Sequence, residues 1–278
     1  MAQRSTKTKE FTKHAMVWFV LFFAFFPLYL MVVISFKDNQ QFTANPFLPD
    51  AVGTWKWGNW VKAWVIVRDL IANSIVISMT AVALSLTTSI MAAYVLARYR
   101  FPGREVVYYA FIGTMFLPGT AATLVTLVQL VMSMGLMNKL MALVLVGGLG
   151  GQVTCIFILR QFIEDIPKEL FESAQIDGAG HFAQIWNIVL PLSGSVMGVL
   201  AIMQFIGQWN SLILPMVLIR DQALMPIPVG LMLLEGEYVK QWGELMAGYT
   251  ISSLPLIVLF LFTMRLFVKG LSAGAVKG

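Results

Sequence analysis

The groups that could do acid–base, nucleophilic or metal chemistry are few, and they are badly placed for it. The chain holds two histidines, His14 and His181, and one cysteine, Cys155. Both histidines sit in polar flanks of apolar segments, so they cannot pair as a metal or catalytic site inside a membrane. Cys155 stands alone in an apolar segment, which leaves no disulfide framework and no thiolate cluster for a metal. It reads as a packing residue. Six long apolar segments contain no Asp, Glu, Lys, Arg or His, whereas carriers driven by protons or ions usually keep an ionisable group at that depth. Backbone carbonyls alone can bind sodium, so an ion-coupled carrier or a channel stays open as the alternative, with a structural membrane scaffold behind it. The dipeptide Gly-Lys is absent, which rules out a Walker A loop and puts any ATP chemistry on another polypeptide. What remains at membrane depth is polar but uncharged: Gln129, Gln152, Gln204, Gln208, Trp209 and Asn210. If the segment is helical, Gln204, Gln208 and Ser211 fall on one face. They could line a pathway or bond neighbouring helices, a use worth about 0.6 kcal/mol per pair.

The elements that must position these residues follow from composition and period. Of 278 residues, 58% are hydrophobic and only 12% charged, with a mean hydropathy of +0.78. Soluble domains carry about 25% charged residues, so the expected class is an all-α polytopic membrane protein. About 20 apolar residues cross 30 Å of hydrocarbon, and the predicted spans are 15–35, 72–97, 107–133, 140–159, 188–206 and 245–264. The basic head 1–14 followed by an apolar run could be a secretory signal. The run is longer than a signal's apolar region and lacks a small-residue cleavage site, so the expectation is a retained first span. The segment 36–71 is expected outside, with an interfacial helix near 59–67. Its Trp55, Trp57, Trp60 and Trp64 serve as interfacial anchors or as a stacking platform. Pro118-Gly119 should break the third span, to line a cavity or merely to pack. Gly147, Gly148, Gly150 and Gly151 offer a close-packing face on the fourth. Beyond the fifth, 207–219 with Pro215 is expected as a broken or re-entrant continuation, followed by an outer segment 220–244.

Charge sets the orientation. Twelve of the 19 Lys and Arg fall in the head, the short turn 98–104, Arg160, the loop 163–187 and the C-terminal end, against seven in the other loops. By the positive-inside rule the first group is cytoplasmic, as are both termini. The surplus of +5 is spread over helix ends rather than gathered into a basic patch interleaved with aromatics, which argues against nucleic acid.

The inner loop, IEDIPKELFESAQIDGAGHFAQIWNIVLP from Ile163 to Pro191, is the most ordered of these connections. Asp165-Ile166-Pro167 forms a helix start, since proline suits the first turn. Glu169 and Glu172 sit near that helix's positive end. Asp177-Gly178 supplies the stop, and a second short helix over 182–187 leads into the fifth span. Glu172-Ser173-Ala174, three residues, Gly178, nine residues, then Ile188-Val189-Leu190-Pro191 resembles the EAA loop of permease subunits in bacterial ABC importers. With Ile166-Pro167, Glu169-Leu170 and Ile176-Asp177-Gly178-Ala179 around it, the chain is similar to the carbohydrate-uptake, MalG-like branch. Ser173 stands where that family usually has alanine, and its small side chain should fit the same contact.

The resemblance implies the type I ABC importer permease fold: a transmembrane domain over 15–270 with cytoplasmic coupling helices, after a cytoplasmic segment 1–14 and before a tail 271–278. It implies a non-enzymatic translocation subunit in a bacterial inner membrane. No cofactor is expected on this chain, with ATP and Mg on a partner. The implied partners are a second homologous permease, two copies of an ABC ATPase, a periplasmic or extracellular solute-binding protein, a carbohydrate substrate and the lipid membrane. By the same resemblance Glu169, Glu172, Ser173, Ala174, Asp177 and Gly178 carry the coupling to the ATPase. Gln129, Gln204, Gln208, Trp209 and Asn210 become candidates for touching the sugar. The tail either reaches the ATPase or is a flexible end.

Overall fold

Nothing between Gly58 and Arg98 breaks a helix, since no proline or internal glycine occurs there, and the structure is a single 41-residue helix over that range. In this computed structural model, which describes residues 2–117, 121–150, 152–237 and 241–275, every regular element among the described residues is helical. They are α1 (Ala2–Ser35), α2 (Asn39–Ala44), α3 (Gly58–Arg98), α4 (Arg104–Thr114), α5 (Ala121–Ser133), α6 (Leu140–Gly150), α7 (Gln152–Glu164), α8 (Lys168–Ile176), α9 (His181–Gln184), α10 (Leu190–Leu192), α11 (Gly194–Trp209), α12 (Ile213–Leu218), α13 (Ile227–Glu237) and α14 (Trp242–Ala275). The separate interfacial helix expected near 59–67 is therefore corrected: it is the first part of α3. Arg68-Asp69 brings charge without a backbone defect, and charge alone does not end a helix. At 1.5 Å per residue α3 is roughly 60 Å long, about twice the hydrocarbon thickness.

Among the described residues three helices are long and apolar enough to cross a membrane, within α1, α3 and α14, or five if each of two bent pairs counts as one span. One pair is α6 with α7. The other is the continuous helix His181–Leu192 with α11, bent by 82°. The bend falls at Ser193-Gly194, a Ser/Gly pair of the kind that kinks helices. Here the Ser193 hydroxyl donates to the Val189 carbonyl at 2.6 Å. Over the expected third span, 107–133, lie α4 and α5, neither long enough to cross a membrane by itself. Its Pro118-Gly119 lies outside the described residues, as do Gly151 of the glycine face and 276–278 of the tail. The broken continuation after the fifth span is present as α11, a break at 210–212, and α12. The segment 220–244, expected outside, is more than a loop, since α13 forms within it.

The contacts divide the chain into two units, Met1–Asp69 with Gly230–Pro255, and Leu70–Val229 with Leu256–Gly278. In the first, Lys37 is 1% exposed; it pairs with Asp50 at 2.9 Å and donates to the Asn45 carbonyl at 2.6 Å. A buried ammonium needs such partners. Around it the Phe36 ring packs on Trp55, Trp57 and Trp60 at centroid distances of 4.6, 4.9 and 5.3 Å. Three of the four loop tryptophans thus hold the segment together, Trp55 and Trp60 half-buried and Trp57 at the exposed edge, while Trp64 is exposed. Asn59 donates to the carbonyls of Ser35 and Lys37, each at 2.9 Å. Gly243 lies so close that a Cβ there would collide with the Lys37 carbonyl and the Asn59 amide. Because one obstacle is backbone, Gly243→Ala should destabilise by about 1–3 kcal/mol, read as a lower thermal midpoint of the purified protein.

In the second unit the core joins Ile90, Ala93 and Tyr94 of α3, Cys155, Leu159 and Ile163 of α7, Phe171 of α8, and Val189 and Leu200. Small residues make the close approaches. Gly148 lies against Leu84 and the Ala81 carbonyl, and the Gln152 amide donates to Thr88 Oγ1 at 2.6 Å. Ser74, Ser78, Ser85 and Ser89 of α3 are all buried, small residues that let neighbouring helices approach closely. Cys155 is buried and free, a packing residue as its surroundings foretold.

Candidate functional site: the loop between α7 and α10

The loop is built onto the end of α3. Pro167 precedes the first turn of α8, and Phe171 drops from the second turn into the core, 5% exposed. The Arg98 guanidinium lies over the Phe171 ring, 3.6 Å from its centroid, and Nη2 donates to the Ile166 carbonyl at 2.8 Å. One arginine therefore both stacks and caps. At the far end Gly178 takes φ +79°. The Gly178 amide donates to the Gln175 carbonyl at 3.0 Å and the Ala179 amide to that of Ala174 at 2.8 Å, the paired bonds of a Schellman stop.

After that stop His181 opens α9. The Tyr94 hydroxyl donates to Gln184 Oε1 at 2.7 Å and lies 3.2 Å from His181 Nδ1. Gln184, 2% exposed, returns its amide to the Ala179 carbonyl at 3.2 Å. The second helix expected over 182–187 begins instead at His181 and does not end before the next segment: a π-helical turn, Ile185–Val189, carries it into α10. The physical reason is that no glycine or proline interrupts 181–190.

A second arginine ties the loop's root to α4. Arg160, 6% exposed, stacks on Tyr108 at 3.6 Å. Nη2 donates to Glu105 at 3.0 Å and Nε to Glu164 at 3.0 Å. The Arg104 guanidinium, 2.6 Å from Glu105, and then Arg160 hold the Glu105 carboxyl below its ordinary range.

What this framework leaves outside is definite. Glu169, Glu172, Ser173, Asp177 and Gly178 are exposed, and Ala174 is half-buried. Beside them Ile176 is 86% exposed, Phe182 75% and Trp186 69%, and Leu170 is exposed as well, large apolar side chains among the polar ones of the loop. The structure thus groups the six residues singled out for coupling on one short stretch. It does not group the five pathway candidates. Gln204 donates to Ser85 Oγ and Cys155 Sγ, each at 3.3 Å. Gln208 donates to the Gly147 carbonyl at 3.1 Å, so close that a Cβ at Gly147 would meet its amide. Trp209 is buried and stacks on Phe205 at 5.4 Å. Gln129 on α5 and Asn210 at the break after α11 are exposed. Tyr94, Arg98, Arg160, Glu105 and Gln184, which frame the loop, escaped the sequence reading. Their signal was faint: aromatic and basic residues at the ends of apolar helices look like interfacial anchors.

Residues 85–273 match the family described as "Binding-protein-dependent transport system inner membrane component". The chain belongs to that family. It is an ABC importer permease, and the match spans both the loop and the helices that hold it. The permease is 31% identical over 264 residues to the arabinooligosaccharides transport system permease protein of Halalkalibacterium halodurans, with 94% of each chain covered. It is 30% identical over 270 residues to the sn-glycerol-3-phosphate transport system permease protein of Pectobacterium atrosepticum, covering 93% of this chain and 94% of that one. It is 28% identical to the diacetylchitobiose uptake system permease protein of Streptomyces coelicolor, covering 90% and 83%. The solved structure of a bacterial ABC transporter for alginate import shares its fold at a TM-score of 0.83 and 18% identity, covering 94% of this permease and 97% of that chain.

Proposed function

We propose that the permease carries a sugar, oligosaccharide or related glycoside across the bacterial inner membrane as one half of a two-permease pathway. Two ABC ATPases would supply the ATP and Mg chemistry, and a solute-binding protein would deliver substrate from outside. The observation that carries the coupling part is the loop itself: it is fastened at Arg98, Tyr94 and Arg160, yet leaves Ile176, Phe182 and Trp186 bare. Exposed apolar groups on a rigid mount suit docking to another protein. Glu169, Glu172, Ser173, Ala174, Asp177 and Gly178 surround that patch and form the coupling surface. Six spans, with α4 and α5 together as the third and both termini cytoplasmic, fit the distribution of Lys and Arg. Closure of the ATP-loaded ATPases would press the docked loops together and turn the pathway outward; hydrolysis would reset it.

The carbohydrate class is supported by relatives that carry arabinooligosaccharides and diacetylchitobiose, and by the absence of ionisable groups from the spans. Within the pathway set, Gln129 and Asn210 are exposed, the Asn210 amide donating only to its own helix at the Ile206 carbonyl, 3.0 Å, whereas the Gln204 and Gln208 amides bond to other helices. Gln129→Ala and Asn210→Ala should lower uptake per assembled complex a few-fold with assembly unchanged. Gln208→Ala should instead lower the yield of complex, by an amount in keeping with one interhelical bond, about 0.6 kcal/mol. Radiolabelled uptake normalised to purified complex separates the two. For the function as a whole, proteoliposomes containing the complete complex should take up an oligosaccharide only with ATP inside the ATPase compartment. Uptake driven by a proton or sodium gradient without ATP would overturn it in favour of a carrier.

A further inference from the structure

Behind the coupling loop, the end of α3 and the start of α4 enclose with α8 and α9 a polar cavity of about 690 Å³. Its walls are unequal in charge. Arg98, Arg100, Arg104 and Lys168 face Glu164 and Glu172, with His181 at the rim. Two of these charges are already satisfied by close partners: Arg104 by Glu105 at 2.6 Å and Glu164 by Arg160 at 3.0 Å. Among the described residues Arg98, Arg100 and Lys168 have no ion-pair partner within 4.0 Å, against Glu172 alone on the other side. Arg98 is fixed by its stacking and its bond to Ile166, yet its Nε is buried without a hydrogen-bond partner. That Nε is turned into the protein and not into the cavity, so it is the remaining guanidinium and ammonium groups that face the space, and an excess of these is what binds phosphate oxygens.

We infer that this cavity is a binding site for a phosphate-bearing anion, held by Arg98, Arg100 and Lys168 between the end of α3 and the first turn of α8. A ligand there bridges the two elements that mount the coupling loop and stiffens the mount. The same chemistry is offered by an anionic lipid headgroup, since basic pockets near the ends of spans take such groups, and by free phosphate. The inference rests on this chain's own cations and not on docking to an ATPase, so its test reads binding rather than uptake.

The permease, in whatever assembly it purifies, would be placed in lipid discs of phosphatidylcholine alone or with phosphatidylglycerol. Native mass spectrometry would read lipid retained after stripping, and equilibrium dialysis would read inorganic phosphate. The expected result is retention of phosphatidylglycerol, or uptake of phosphate in the neutral discs, weakened about tenfold or more by the pair Arg100→Gln and Lys168→Gln, both exposed positions. Glu172→Gln should strengthen the same binding by removing the opposing charge. Retention of the lipid identifies the headgroup as the source, and saturable phosphate binding identifies the free ion. Binding of neither, or binding indifferent to both the cation pair and Glu172→Gln, overturns the inference.

Discussion

Gly178→Val should leave the permease in the membrane and assembled, while uptake falls about tenfold or more and ATP hydrolysis continues. The reason is conformational rather than steric. A Cβ at Gly178 would meet nothing within 4 Å, but the backbone there sits at φ +79°. A left-handed conformation costs a non-glycine residue about 1–2 kcal/mol, and more when the side chain is β-branched. The chain can shed that strain by releasing the paired bonds from Gly178 and Ala179 to α8, which lets the end of α8 swing relative to α9. The coupling patch straddles that joint, with Ile176 before it and Phe182 after it. A misaligned patch weakens the transmission of force, and each 1.4 kcal/mol is a factor of ten in rate. Gly178→Asn, which tolerates the left-handed region better, should fall between Val and the parent. Uptake and phosphate release measured on the same proteoliposomes check both. Normal uptake by the valine variant would remove Gly178 from the coupling surface.

Arg160→Met is expected to have the larger effect on stability. Methionine can replace part of the stacking on Tyr108 but none of the bonds to Glu105 and Glu164. Arg160 is nearly buried while its carboxylate partners are partly exposed, so the loss should be about 1–3 kcal/mol rather than the full cost of a broken interior pair. It should appear as a thermal midpoint lower by several degrees and as easier proteolysis in the loop. The pH dependence has a defined sign. Arg104, and then Arg160, hold the Glu105 carboxyl below its ordinary range, so its contribution is present above the unfolded carboxylate's pKa. It is lost as pH falls through the lower folded value. Arg160→Met should therefore lower stability at neutral and alkaline pH and make the acid limb shallower, though not flat, because Arg104 still holds Glu105 down.

The contrast between these arginines and the loop they hold says what a sequence of this kind discloses. The loop was legible because its stop needs glycine at Gly178 and its start suits Pro167, and such punctuation is local. Apolar runs gave the helices at α1, α3, α11 and α14 for the same reason. The continuity of α3 through Arg68-Asp69 was not legible, since charge mimics a loop without breaking the backbone. Nor was the run of α9 into α10 through a π-helical turn, where no residue marks the change. The mounts at Tyr94, Arg98 and Arg160 were hidden for a different reason. Their partners lie 55–90 residues away in the chain, and no periodicity reports a contact at that range. Among the polar residues of the spans, the sequence could list Gln204 and Gln208 but not say that Cys155, Ser85 and Gly147 already use their donors.

On the proposed function, force reaches this permease from another polypeptide through the loop at Ile163–Pro191. The most direct test is purification from native membranes in a mild detergent, followed by mass spectrometry of everything that stays bound. The expected result is an ATPase with a Walker A loop, present in two copies, together with a second permease, and loss of the ATPase when Ile176, Phe182 and Trp186 are replaced by serine. A lone chain or a simple homo-oligomer at every detergent strength, with no ATPase at all, would contradict it.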